Sequence, residues 1–137
     1  MKFSRHEILE IQDVSDSRGS LNVIEFSTLI GFDPARVFTI QDVPKNTSRG
    51  KHAHKHCIQV LQCLIGAVEA KIEFKGSNTT VLLDSPKKVL YVPPMNWLEM
   101  KFLEEATILN VYASEVFIES DYIRDYSEFL KLTTRVE

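Results

Sequence analysis

The chain has 137 residues, of which 44% are hydrophobic and 26% are charged, and its formal net charge is −3. This length suffices for one substantial core, so we predict a single domain over residues 1–137. The slightly acidic balance gives no reason to expect a nucleic-acid partner, and no apolar run suggests a signal peptide, a membrane span or a membrane partner. Cys57 and Cys63 fit neither a zinc spacing nor a disulfide framework, so we expect reduced thiols in a cytoplasmic protein, with Cys63 in the core.

Short segments rich in β-branched and aromatic residues, separated by turns, predict about nine or ten strands along most of the chain. We place them near residues 7–11, 21–26, 36–40, 60–65, 67–74, 79–83, 89–92, 97–102 and 107–112. Residues 13–20, which include Arg18 and Gly19, read as a polar turn, and residues 43–48 as a loop. The pattern predicts an all-β sandwich or barrel.

The last part of the chain changes its period. From Ser120 onward, apolar residues recur at steps of three and four, as one face of a helix requires. Ser120 or Asp121 is the expected N-cap of this short C-terminal helix, which we place outside the barrel and away from any chemistry.

Three of the four histidines lie within residues 52–56, after Arg49 and Lys51. On a strand, His52 and His54 point to the same face and Ala53 to the other. Two such imidazoles can share a metal or act together on one bound molecule. A solvated basic loop is the alternative interpretation.

The spacing of this stretch is similar to the first metal-binding motif of cupins, a group of jelly-roll proteins. Gly50, the two histidines and Gly66 fit that motif, but Gln59 stands where a glutamate ligand is expected. In the second motif, near Pro93, Leu98 replaces a histidine ligand. Since an amide is a poor ligand for transition metals and leucine is none, we expect no metal and no cofactor.

Longer segments resemble a specific group within the cupins, the WxcM-like family of sugar-nucleotide 3,4-ketoisomerases. The matching segments are residues 16–21, 49–55, 84–86, 90–97 and 119–126, together with Gln59. The resemblance implies a cupin-type jelly-roll β-barrel and a cytoplasmic, metal-independent homodimer. The implied reaction converts dTDP-4-keto-6-deoxyglucose to a dTDP-3-keto-6-deoxyhexose for the synthesis of amino-deoxy sugars. Exposed sheet edges in one small barrel also favour dimerisation, with exchange of the N-terminal strand.

The resemblance also suggests roles for individual residues. His52 is the expected base at C3 of the sugar, and His54 the proton shuttle, although the sequence leaves their assignment open. Arg49 and Lys51 are expected to bind an anion. The planar guanidinium of Arg49 suits the oxygens of a diphosphate or an oxyanion. The remaining expected substrate contacts are Arg18, Gln59 and Trp97, where Trp97 stacks on thymine or sugar or else packs in the core.

Some positions depart from the family pattern. Leu98 replaces a histidine that would reach the sugar, and Thr39 replaces an aromatic residue. These departures are what a sugar-nucleotide-binding cupin without catalysis would show. Two further alternatives also stay open, a 3,5-epimerase of the same broad fold class and a metal-dependent dioxygenase, which Gln59 and Leu98 argue against.

Overall fold

The computed structural model describes residues 1–134, which form two facing five-stranded sheets, a hairpin and a C-terminal helix. All strand pairs are antiparallel. The strands are β1 (Glu7–Glu10), β2 (Gln12–Asp16), β3 (Gly19–Val23), β4 (Arg36–Ile40), β5 (Thr47–His54), β6 (Gln59–Ile65), β7 (Val68–Phe74), β8 (Ser77–Leu83), β9 (Lys88–Val92), β10 (Trp97–Phe102), β11 (Ile108–Ala113) and β12 (Tyr122–Ile123). The helix α1 spans Tyr126–Thr133, and short helical turns lie at Phe26–Ile30 and Glu119–Asp121.

The two sheets enclose the main core between their inner faces. The first sheet has the order β1-β9-β6-β11-β4, and the second has the order β12-β5-β10-β7-β8. Their inner residues, such as Leu61 and Leu109 opposite Ile72 and Phe102, form one buried cluster. This arrangement confirms the predicted all-β, jelly-roll class, built as two stacked sheets rather than one continuously closed barrel.

Residues 59–63 of strand β6 are buried on both faces, whereas Leu64 and Ile65 at its end are exposed. Leu61 and Cys63 face the main core, while Val60 packs outward against a second cluster. The N-terminal segment and the turn at Phe26–Ile30 supply the cover over that outer face. Both cysteines are buried and unpaired, and Cys63 lies in the main core as predicted.

The predicted polar turn at residues 13–20 is wrong, because this segment forms most of a hairpin of β2 and β3. The hairpin pairs with no other strand in the described part of the chain, and nearly all of it is exposed. Since neither face is buried in one chain, its sequence shows no alternation of apolar and polar residues.

The predicted helix start at Ser120 or Asp121 is also wrong. The helix begins at Tyr126, and the Asp125 carboxylate caps it by accepting a hydrogen bond from the Ser127 amide at 2.9 Å. The preceding pair, Tyr122–Ile123, is the short strand β12 on the edge of β5. Two residues are too few for a strand period to appear in the sequence.

Helix α1 covers the outer face of the second sheet at the end where β12 lies. Phe129 of the helix packs with Ala53, Trp97 and Ile123 in a separate buried cluster. None of the helices in residues 1–134 has the length and apolar character needed to cross a bilayer.

Candidate active site

His52 and His54 lie side by side on the inner face of β5, as their spacing predicts. Their ring centroids are 5.0 Å apart, with the ring planes nearly perpendicular at 85°. Ala53 points the other way, into the cluster under α1.

A β-bulge precedes the two histidines and decides which neighbours share their face. In the pairing of β5 with β10, His52 lies opposite Leu98 and Gly50 opposite Glu99, so Lys51 is the extra residue. Gly50 has a φ of 98°, and a Cβ there would lie 3.1 Å from the Leu98 carbonyl oxygen. The positive φ therefore favours glycine at this bulge, and a Cβ would also make a tight contact with the Leu98 carbonyl.

The bulge returns Arg49 to the inner face, where it helps to line a cavity of about 230 Å³. The wall of this cavity also contains His52, Gln59, Gly50, Phe38, Ile40, Met100, Val111, Tyr122 and Arg124. His54 lies behind His52, and the Tyr122 ring contacts both imidazoles, with centroid distances of 5.1 and 4.3 Å. The cavity is small, with room for little more than a sugar ring inside it.

The histidine tautomers follow from their hydrogen bonds. The Gly50 carbonyl oxygen can only accept, so His52 Nδ1, at 2.9 Å, must carry the proton. His54 Nδ1 donates to Asp121 Oδ2 at 3.1 Å. In both rings Nε2 is therefore a bare lone pair, and both Nε2 atoms are buried without a partner in the described residues. These are two neutral imidazoles ready to accept protons.

Burial keeps both imidazoles neutral. It lowers the pKa of His52 below the ordinary 6.5, against the opposing effect of the Gly50 carbonyl and with a further decrease from Arg124. Burial also lowers the pKa of His54 to about 4, and the neighbouring His52 acts in the same direction, while Asp121 opposes both. A charged imidazole is poorly solvated here, so the proton is held less strongly.

Asp121 is the functional residue that sequence reasoning missed. Its carboxylate is buried and accepts hydrogen bonds from His54 Nδ1, the His56 amide at 2.7 Å and the Cys57 amide at 3.2 Å. Burial alone would raise the pKa of Asp121, but these hydrogen bonds outweigh it and leave the pKa below 3.8. An ionised carboxylate thus fixes the orientation of His54. One feature of the sequence could have indicated this role: Asp121 directly precedes Tyr122 and Ile123, whose apolar side chains favour a partly buried segment.

Two further arginines, also missed, add positive charge beside the cavity. Arg36 lies on the inner side of β4, with its guanidinium 5.2 Å from the Phe38 ring and 5.6 Å from the Phe117 ring. Its Nε is buried without a hydrogen-bond partner, and within residues 1–134 it forms no ion pair. Arg124 lies 4.3 Å from the Tyr122 ring and pairs with Glu119 at 3.0 Å. Arg36, a half-buried cation without a counterion in the described residues, is therefore suited to bind an anionic ligand.

Three of the predicted substrate contacts lie away from this cavity. Lys51 and Trp97 line a separate groove on the outer face of the second sheet, together with Glu99 and Tyr126. The bulge places Lys51 there, and Trp97 packs against Phe129 of the helix at a centroid distance of 5.4 Å. The prediction that both residues share a ligand with the histidines is corrected accordingly.

Arg18 is the third of these residues. It lies at the tip of the β2–β3 hairpin, where its side chain is 87% exposed and pairs with Asp16 at 2.7 Å. It is absent from the lining of the histidine cavity of its own chain.

Neither Leu98 nor Thr39, two of the departures from the family pattern, lines the cavity. Leu98 is buried in the main core opposite His52, and the neighbouring inner residue Met100 lines the cavity instead. Thr39 is exposed on the outer face of β4 and donates a hydrogen bond to Asn110 at 2.8 Å. An aromatic ring at position 39 would therefore point away from the cavity.

Replacing the buried carboxylate tests its control of the His54 tautomer. In Asp121→Asn we expect ¹⁵N NMR to show His54 as a mixture of tautomers, whereas the original protein shows only the Nδ1-protonated form. The substitution should also lower the free energy of unfolding by about 1–3 kcal/mol, because a buried network loses its charged acceptor. The control is Asp125→Asn, an exposed helix cap that asparagine replaces well. An unchanged tautomer in Asp121→Asn would contradict this role.

Comparison with known proteins places the chain in a family. The family model described as FdtA: WxcM-like, C-terminal matches residues 4–134. A TDP-4-oxo-6-deoxy-alpha-D-glucose-3,4-oxoisomerase from Aneurinibacillus thermoaerophilus is 37% identical over 131 residues, covering 96% of this chain and 94% of that protein.

Solved structures agree with this assignment. The sugar 3,4-ketoisomerase QdtA from Thermoanaerobacterium thermosaccharolyticum, in complex with TDP, matches with a TM-score of 0.91 and 35% identity over 95% of both chains. A histidine-to-asparagine variant of QdtA was solved with TDP-4-keto-6-deoxyglucose. The TDP-quinovose 3,4-ketoisomerase WlaRB from Campylobacter jejuni matches with a TM-score of 0.88 and 33% identity, covering 94% of this chain and 99% of that one. This chain therefore belongs to the FdtA family of WxcM-like, C-terminal domains, which its sequence motifs resemble.

Proposed function

We propose that this protein is a sugar-nucleotide 3,4-ketoisomerase that converts dTDP-4-keto-6-deoxyglucose to a dTDP-3-keto-6-deoxyhexose for amino-deoxy-sugar synthesis. The observation that carries this proposal is the pair of neutral imidazoles beside the cavity; within residues 1–134 neither Nε2 has a partner, and Arg36 and Arg49 nearby form no ion pair. The relatives that act on TDP-linked 4-keto sugars supply the substrate class.

The first step assigned to the site is removal of the C3 proton, which is acidic because C3 is next to the C4 carbonyl. His52 is the imidazole on the cavity wall, so its Nε2 takes this proton and leaves an enediolate. The same nitrogen then returns the proton to C4. His54 moves the second proton, from the oxygen at C3 to the oxygen at C4. The hydrogens are balanced, and the carbonyl has moved from C4 to C3.

Negative charge in this reaction lies on the diphosphate and on the oxygens of the enediolate. Arg49 on the cavity wall and Arg36 beside it carry guanidinium groups without an ion-pair partner in the described residues. We assign them to these anions, with Gln59 as a hydrogen-bonding partner of a sugar hydroxyl. Arg124, already paired with Glu119, contributes less.

The proposed chemistry uses no metal. In the cupin motif Gln59 and Leu98 stand where ligands are expected, and Leu98 packs in the core. Proton transfer between carbons next to a carbonyl needs a base and oxyanion stabilisation, both of which the side chains provide. The cytoplasm is the proposed compartment, since two unpaired buried thiols fit a reducing environment.

We also propose a homodimer in which the β2–β3 hairpin of one chain lies against the other. The hairpin exposes Val14 and Leu21, which are neighbours across its two strands, and β4 is an unpaired sheet edge with Val37 exposed. Since β1 pairs with β9 of its own chain, the exchange involves the hairpin rather than β1. Arg18 at the hairpin tip then serves the cavity of the partner chain.

His52→Asn tests the base. The variant should lose at least about 10³-fold in kcat, because asparagine cannot take the C3 proton, while its affinity for TDP changes little. NMR of the sugar after incubation with the 4-keto substrate measures conversion, and calorimetry measures TDP binding. Conversion close to the original rate would contradict the assignment. An unchanged sugar ring with the original protein would favour a binding protein, and deuterium exchange at C5 would favour a 3,5-epimerase.

The pH dependence follows from the lowered histidine pKa values. The active form has both histidines neutral, and burial lowers the pKa of each below 6.5, so kcat/KM should stay level as the pH falls to 6.5 and decline only at lower pH. The same pKa values stabilise the fold above pH 6.5, and this stability decreases as the pH falls toward 4. Circular dichroism at each pH separates unfolding from titration. An acid limb with an apparent pKa of 6.5 or higher would contradict the burial argument.

Mixing two inactive variants tests the hairpin exchange. Arg18→Ala and His52→Asn should each be nearly inactive, but subunits mixed and re-assembled should regain roughly a quarter of the original activity. In a mixed dimer with exchange, one cavity carries both substitutions and the other carries none. If Arg18 serves its own chain, every mixed cavity keeps one defect and activity does not return. Light scattering must also show a dimer, and a monomer would contradict the proposal.

A further inference from the structure

We propose that His54, Cys57 and Asp121 form a binding site for a thiophilic divalent cation, such as Zn²⁺ or Cd²⁺, and that this cation inhibits the enzyme. All three side chains are buried, and their candidate donor atoms lie within 4.8 Å of one another. Imidazole nitrogen, thiolate sulfur and carboxylate oxygen are donors that zinc prefers in proteins. The inhibition rests on the function proposed above, whereas the binding does not.

The geometry needs only a small adjustment. Two donors on one tetrahedral zinc are separated by roughly 3.2–3.8 Å, and His54 Nδ1 and Asp121 Oδ2 are already 3.1 Å apart. Among the described residues, Cys57 Sγ makes two weak hydrogen bonds, with the Ile58 carbonyl oxygen at 3.5 Å and with Ser114 Oγ at 3.9 Å. A rotation of the Cys57 side chain about its Cα–Cβ bond therefore breaks no strong hydrogen bond.

The charge balance favours a divalent ion. Asp121 contributes one negative charge, and Cys57 becomes a thiolate when its proton leaves for solvent. These two charges neutralise the cation, whereas the site without an ion holds the single charge of Asp121. The two amides of His56 and Cys57 continue to hold the carboxylate.

Coordination also explains inhibition. In the metal-free site the protonated His54 Nδ1 donates a hydrogen bond to Asp121 Oδ2. For Nδ1 to bind the cation, that proton must move to Nε2, which has no partner in the described residues. The lone pair that the proposed mechanism uses is then occupied. No net proton is lost from His54, so one proton, from Cys57, leaves for each ion bound.

The cation has a route that avoids the substrate cavity. A cavity of about 430 Å³ reaches Asp121 and is lined by Lys55, His56, Glu115, Ile118, Ser120 and Asp121. It shares no lining residue with the cavity at His52. Glu115 offers a carboxylate along this route, and Lys55 opposes it. Since the ion and the substrate enter separately, inhibition should lower kcat with little change in KM.

The two cysteines provide a matched experiment. Cys63 is also buried, but it lies in the main core, away from the three-residue cluster. We would titrate Cd²⁺ into the full chain and into Cys57→Ala and Cys63→Ala, following the ultraviolet thiolate-to-Cd²⁺ band. In the original protein and in Cys63→Ala, the band should appear and saturate at one equivalent of Cd²⁺. In Cys57→Ala, no band should appear. Cys57→Ser, which keeps the side-chain volume, replaces Cys57→Ala if the latter does not fold.

Activity forms the second part of the experiment. Zn²⁺ should lower kcat in the original protein and in Cys63→Ala, reversibly on addition of EDTA, and at least about tenfold more Zn²⁺ should be needed in Cys57→Ala. A band that survives Cys57→Ala, or that is lost in Cys63→Ala, would overturn the site. A band without inhibition would overturn the inhibitory role. If the metal-free protein has no isomerase activity, the proposed function fails while the band still decides the site.

Discussion

The Asp121 carboxylate holds together the parts of the molecule that form the site. It joins the segment after β11 to the end of β5 through the His54 imidazole and the amides of His56 and Cys57. Tyr122, the next residue, pairs with His54 in the ladder between β12 and β5. The Asp121 contacts therefore position β12 and place the Tyr122 ring against both histidines. The ionised carboxylate is tolerated in this buried position because three donors surround it. The same contact thus stabilises the fold locally and selects one His54 tautomer.

The electrostatics of the cavity combine neutral bases with cations. Burial keeps His52 and His54 unprotonated, and the Arg36 and Arg124 guanidinium groups disfavour a further positive charge on them. The Arg36 guanidinium lies against the Phe38 and Phe117 rings and has no ion-pair partner within residues 1–134. An anionic ligand supplies the missing counter-charge, so these guanidinium groups favour its binding in the proposed complex. The charge states of the histidines on β5 and of Arg36 on β4 are therefore coupled, although these strands lie in different sheets.

The sequence predicted the parts of the fold that depend on local pattern. Strands such as β7 alternate strictly, and the same-face position of His52 and His54 followed from strand period alone. The hairpin escaped notice because its residues have no buried face, and the helix start was misplaced because Tyr122 and Ile123 happen to continue the helical spacing. The inward position of Arg36 could have been predicted from the sequence, since Arg36 alternates with Phe38 and Ile40 on one side of β4.

The contact of Asp121 with His54 spans 67 residues, and no local pattern encodes it. The same is true of the positions of Lys51 and Trp97, which depend on how β5 meets β10 and how α1 covers the sheet. The family resemblance predicted site residues that the strand periodicity did not, such as Arg18 and Trp97. It did not predict on which face of the sheet each side chain lies. Tertiary packing decides that.

The single extra residue in β5 determines which side chains of this strand face the cavity and which face the outer groove. In a regular strand, residues three apart face opposite ways, so Arg49 and His52 would be separated by the sheet. The bulge at Lys51 changes that parity: the guanidinium and the imidazole meet in one cavity, while the lysine between them is left to the outer groove. Loss of one residue at this point would keep the composition of the motif and dismantle the cavity, because the spacing itself carries the information.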